Sequence, residues 1–103
     1  MFPKARLRFQ ELVNQRGAQL RSLSLEELEQ VGLQPTEHIT VESRPSTISI
    51  LVQPQADGSL RVVVQGFMEA KHLPGKHVAI DGFYKHPDGR ITAMDPEEFY
   101  EFD

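Results

Sequence analysis

Apolar residues recur with a helical period at the start of the chain and with a period of two from its middle onward, so helices precede strands. Ala5, Phe9, Leu12 and Val13 fall at i, i+4, i+7 and i+8, one face of an amphipathic helix. Pro3 takes a first-turn position and Gly17 the place of a C-terminal cap, which predicts a helix over about 4–16. Lys4, Arg6, Arg8 and Arg16 occupy its other faces. The next boundary is the best specified in the chain. Glu27 follows Ser24 at the spacing of a capping box, and Leu23 and Leu28 are placed to staple across it. Leu25, Leu28 and Val31 supply the stripe, and Gly32 and Pro35 end a second helix over about 25–31.

Three alternating runs follow: Thr47 to Gln53, Leu60 to Glu69 and His77 to Lys85. They read as strands over about 47–53, 60–69 and 77–85, with a shorter one over about 90–94. Ile39 to Glu42 is a separate segment, cut from the next by Pro45. Ala56-Asp57-Gly58 and Pro87-Asp88-Gly89 are three-residue loops with glycine last, the chemistry of a type I turn passing into a G1 bulge. If Gln55 faces Ser59, then Val52 faces Val62 and Ile50 faces Val64, so loop and apolar pattern specify one register. Ala70 to Gly75, with Pro74-Gly75, makes the middle connection. Asp95-Pro96-Glu97-Glu98 opens a short helix over about 96–100: Asp as N-cap, Pro at N1, acids on the positive end of the dipole.

If the middle hairpin closes around Leu73, Met68 opposes Val78, Gly66 opposes Ile80 and Gly82 opposes Val64. One sheet face then carries Val62, Val64, Met68, Val78, Ile80 and Tyr84 and receives the two helices. The other carries Val63, Phe67, Ala79 and Phe83, with Ile91 and Ala93, and among them Gln65, Glu69, His77 and Asp81. A one-sided antiparallel sheet is polar there, so this second face calls for a cover. The candidates are the Phe99–Phe102 segment, a second copy of the chain, and a ligand, burial by the chain itself being the commonest fate of such residues.

Composition narrows the function classes. A chain of 103 residues with 39% hydrophobic and 25% charged residues has the balance of one soluble globular domain, 1–103, and not of disordered, collagenous or coiled-coil sequence. No apolar run approaches the roughly 18 residues of a membrane span, and none follows the charges at the start. The expectation is a cytoplasmic protein without signal peptide or membrane contact. Absence of cysteine removes thiol nucleophiles, disulfides and thiolate zinc sites. The net charge of -4 is distributed as +4, -5, +2 and -5 over residues 1–25, 26–59, 60–90 and 91–103, and such blocks could pair within the fold or between copies.

Four histidines, His38, His72, His77 and His86, invite a metal reading. His72 and His77 lack helical i, i+4 spacing, however, and Lys71, Lys76 and Lys85 adjoin them, so neither metal nor cofactor is expected. The basic stretch from Lys71 to Arg90 interleaves Phe83 and Tyr84, and the first helix is richer still in arginine. The acidic total disfavours nucleic acid, which stays as a third reading through that helix. Glu69, His77 and Asp81 are the acid and base groups that the assumed register brings to one face, with Glu69 opposite His77. No nucleophile elbow, phosphate loop or metalloprotease helix motif accompanies them.

The sequence therefore predicts an α+β domain: two N-terminal helices packed on an antiparallel β-meander of about four strands, closed by a short C-terminal helix. The leading functional expectation is a small binding or accessory module, not an enzyme, acting through protein contact on the second sheet face at Val63, Phe67, Phe83 and Ile91. Its partner is another protein or a second copy in a homodimer. The alternative is a ligand-binding or catalytic domain with Glu69, His77 and Asp81 on the same face.

Overall fold

The computed structural model describes residues 4–70 and 75–102. Its order is α1 (Lys4–Arg21), α2 (Leu25–Gly32), β1 (Glu37–Val41), β2 (Arg44–Pro54), β3 (Leu60–Glu69), β4 (Lys76–Lys85), β5 (Ile91–Ala93) and a 3-10 helix (Pro96–Phe102). The strands form one antiparallel sheet in the order β1-β2-β3-β4-β5. The α+β architecture with N-terminal helices and a short C-terminal helix is as expected, with five strands where about four were anticipated. Pro3, Lys71, His72, Leu73 and Pro74 lie outside the described residues.

The α1 stripe of Ala5, Phe9, Val13, Gly17 and Leu20 is buried against Val62, Val64, Met68, Ala79 and Phe83 of the sheet. Gly17 is no cap: the helix runs on to Arg21. A Cβ at Gly17 would collide with the Asp81 carboxylate, and one at Gly66 would lie 2.6 Å from Cζ of Phe9. Glycine at these two positions lets helix and sheet approach. The α2 capping box forms, Ser24 Oγ accepting from the Glu27 N–H at 3.1 Å and Glu27 Oε1 from the Ser24 N–H at 3.1 Å.

β1 and β2 are joined by the two residues Glu42 and Ser43, with φ of 48° and 67°, a type I′ turn built without glycine or asparagine. Pro45 is part of β2 and does not interrupt it. The β2/β3 ladder begins at Ser46 opposite Met68, so the missing Pro45 N–H falls beyond its end. Further along, Ile50 pairs with Val64 and Val52 with Val62, the register that the Ala56-Asp57-Gly58 loop dictates.

Between β3 and β4 the register differs by one residue from expectation. Met68 pairs with His77, Gly66 with Ala79, Val63 with Gly82 and Glu69 with Lys76. Because side chains alternate, a shift of one exchanges every β4 residue between faces. His77, Ala79, Asp81 and Phe83 turn toward α1, while Val78, Ile80 and Tyr84 turn to the second face. The alternation of β4 is apolar on both sides and does not select between these registers. The helix side takes Phe83, the wholly apolar ring of the two, with the Arg21 guanidinium 4.7 Å from its centroid, and pairs Asp81 with the same arginine.

Candidate functional site: the second sheet face and the open edge of β4

The chain covers half of the second face itself. Val63, Met94 and Phe102 form a second buried cluster, flanked by Leu51, Ile80, Tyr84 and Phe99. The 3-10 helix is held there by polar contacts from β3 and β4. Arg61, whose side chain is 15% exposed, reaches Glu98 and Glu101, each at 3.1 Å. It also donates from Nε to Gln53 Oε1 at 2.7 Å and stands 5.2 Å from the Phe102 ring centroid. Gln65 Nε2 donates to the Phe102 carbonyl at 2.6 Å. The Tyr84 hydroxyl donates to Glu98 Oε1. That bond, with the Asp95 N–H and Arg61, holds the Glu98 carboxyl below its ordinary range against the opposing effect of burial, and it raises the Tyr84 phenol. The Gln53–Arg61 contact follows from the β2/β3 register alone. The Tyr84 contact depends on the β4 face, so sequence reasoning missed it.

This cover and the register redistribute the expected contact residues. Val63 is sealed at 0% exposure and Phe83 is buried on the opposite side, under α1. Ile91 lies on the short β5, 37% exposed. Phe67 alone remains half-exposed on the second face, paired with Val78 and with Lys76 Nζ 5.6 Å from its ring centroid. The polar trio is likewise split. Glu69 is exposed opposite Lys76 on the second face. Asp81 lies on the helix side in a two-pronged pair with Arg21, at 2.8 and 3.1 Å. His77 is on that side too, four residues from Asp81 and so about 13 Å along the strand. The three groups do not converge, and among the described residues no cluster of metal-ligating side chains occurs.

The feature that the sequence did not signal is an unfinished sheet edge. β5 pairs only with Phe83, Tyr84 and Lys85, which leaves Lys76 to Gly82 without a strand on the side away from β3 among the described residues. The His86 N–H donates to the Arg90 carbonyl across the β4/β5 turn at 2.9 Å. By alternation, the even-numbered residues of β4 therefore direct their backbone groups away from β3. Side chains occupy the upper part of this edge: Gln10 donates to the Ile80 carbonyl at 3.4 Å, Arg21 to the Gly82 carbonyl at 3.5 Å, and Asp81 accepts from the Gly82 N–H at 3.0 Å. Below them, Val78 borders a cleft of about 150 Å³ whose wall includes Arg6, Leu7, Gln10 and His77, and Leu7 is 53% exposed. Burial, then the charges of Arg6 and Arg44, hold the His77 imidazole below its ordinary value.

No helix among the described residues is long and apolar enough to cross a membrane. Comparison with protein-family models, curated proteins and solved structures finds no match for this chain.

Proposed function

We propose that this domain is a cytoplasmic binding module that takes an extended, acidic peptide segment of a partner protein as an added strand on the open edge of β4. The observation that carries the reading is the short β5, which leaves the outward backbone groups of Lys76 and Val78 without a strand partner among the described residues. Main-chain hydrogen bonds at such an edge supply affinity, and neighbouring side chains select the sequence. Here those neighbours are Leu7, Phe67 and Val78, apolar and partly exposed, with Arg6 and Lys76 beside them. The positive rim favours an acidic segment. The contact face expected from the sequence thus narrows to its uncovered half and the adjoining edge.

Selection of peptides from a random display library on the purified domain tests this. Val78→Pro removes an N–H that points away from β3, a change an edge strand tolerates. Enrichment of acidic, β-prone peptides on the wild type and its loss on V78P support the reading. No enrichment, or enrichment that V78P retains, overturns it. Sedimentation completes the test: a wild-type dimer made monomeric by V78P would show that a second copy occupies the edge instead.

A further inference from the structure

We infer that the cleft between Arg6 on α1 and His77 on β4 is a site for a phosphate-type oxyanion, bound by Arg6 and His77 with Arg44 adding positive charge from β2. The argument begins with how arginine charge is compensated. Among the described residues Arg8, Arg16, Arg21 and Arg61 each have a carboxylate within 4.0 Å. Arg6, Arg44 and Arg90 have none among the described residues, and the first two act on the same imidazole, that of His77. Arg44 lies on the helix side of the sheet, one pleat beyond the row Ser46–Met68–His77. Opposite His77 on β3 stands the neutral Met68, and the adjacent Lys76 and Glu69 turn to the other face.

The end of α1 adds to this field. Its first turn contains Lys4 and Arg6 and no acid, where the positive end of the helix dipole favours negative charge. Cations gathered at such a place repel one another, and an anion between them converts the repulsion into charge-assisted hydrogen bonds. At about 150 Å³, against a water's share of about 30 Å³, the cleft has room for a tetrahedral oxyanion with some of its hydration. Gln10 donates from Nε2 to Asn14 Oδ1 at 2.9 Å and to the Ile80 carbonyl at 3.4 Å, so it forms part of the cleft wall and leaves the anion to Arg6 and His77. Leu7, Phe9 and Val78 give an apolar side suited to the organic part of a phosphomonoester. This site stands apart from strand addition, since an oxyanion needs neither the Val78 backbone nor Phe67.

The test is an NMR titration of the isotope-labelled domain with inorganic phosphate, with sodium chloride at matched ionic strength as the comparison. Expected are saturating shifts centred on Arg6 and His77, and a rise in the imidazole pKa of His77 as the anion binds. Arg6→Gln combined with Arg44→Gln weakens binding at least tenfold, and Arg90→Gln, which is outside the cleft wall, leaves it unchanged. Arg6 is exposed, so R6Q alone decides the matter if the double variant folds poorly. Shifts that follow chloride equally, that do not saturate, or that R6Q leaves intact overturn the proposal. Phenyl phosphate separates the sources: tighter binding than phosphate marks a phosphomonoester with its organic part on Leu7 and Val78, and equal binding marks the free ion.

Discussion

Replacing Phe102 with alanine probes whether the 3-10 helix is an integral cover of the second sheet face. The ring is 7% exposed and packs with Val63 and Met94. Truncation of a core phenylalanine costs about 3–5 kcal/mol. The lower end applies, because this cluster is small and lies near the described end of the chain, where the backbone can settle into the gap. Loss of the Arg61 guanidinium's contact with the ring is part of the cost, about 0.5–1 kcal/mol. The expected loss is therefore about 3 kcal/mol, or about 12–24 °C in Tm for a domain of this size. Urea denaturation followed by circular dichroism gives the free energy, and amide exchange at Val63 and Gln65 shows whether the face opens. A change below about 1 kcal/mol with unaltered exchange at those amides would refute the reasoning, because the face would then be closed by something other than this ring.

Other consequences can be measured independently. Gly17→Ala, which in an ordinary helix interior stabilises by about 1 kcal/mol, is expected here to destabilise by about 1–3 kcal/mol through collision with Asp81. A double-mutant cycle with Asp81→Ala should recover part of that loss. Glu42→Asn with Ser43→Gly is expected to raise the urea midpoint by about 1 kcal/mol in free energy, since both native residues hold positive φ; an unchanged midpoint would mean that the turn carries no strain. The depressed Glu98 carboxyl stabilises the fold above the unfolded value of about 4.3, and this stabilisation is lost as pH falls through the lower folded value. The stability difference between wild type and Glu98→Gln should accordingly be largest near neutrality and shrink toward pH 3; a constant difference would count against an ionised clamp.

What could be read from the sequence follows from how locally each feature is determined. The α2 start and the β2/β3 hairpin are specified by residues close together: Ser24 with Glu27, and a glycine-terminated loop whose register also aligns Ile50 with Val64. The end of α1 was not readable, because Gly17 resembles a cap until Asp81, 64 positions away, is seen beneath it. β1 was obscured by a tight turn lacking the usual residues and by a proline whose missing donor falls beyond the ladder. The face assignment of β4 failed for a different reason. Val78, Ile80 and Tyr84 alternate with Ala79 and Phe83, so either register buries apolar side chains, and only tertiary partners such as Arg21 and the C-terminal cover distinguish them. Its open edge depends on the length of β5, which is three residues and carries no signature of where pairing stops. The convergence of Arg6 and Arg44 on His77 requires three elements to meet and lies further still from local pattern.

The clamp on the 3-10 helix has a kinetic side. Its anchors, Arg61 and Gln65 of β3 and Tyr84 of β4, come from two strands, and the segment they grip follows all of them in chain order. Synthesis from the N-terminus therefore produces the sheet before its cover, and docking of residues 96–102 must wait for β4 to join β3. During that interval Val63, Leu51 and Ile80 form an apolar surface on a nascent sheet, the kind of transient exposure that draws chaperones or aggregation. Closing this face is accordingly a late folding step, and changes at Arg61 or Phe102 should lower the yield of folded protein during synthesis by more than their effect on the finished domain's stability.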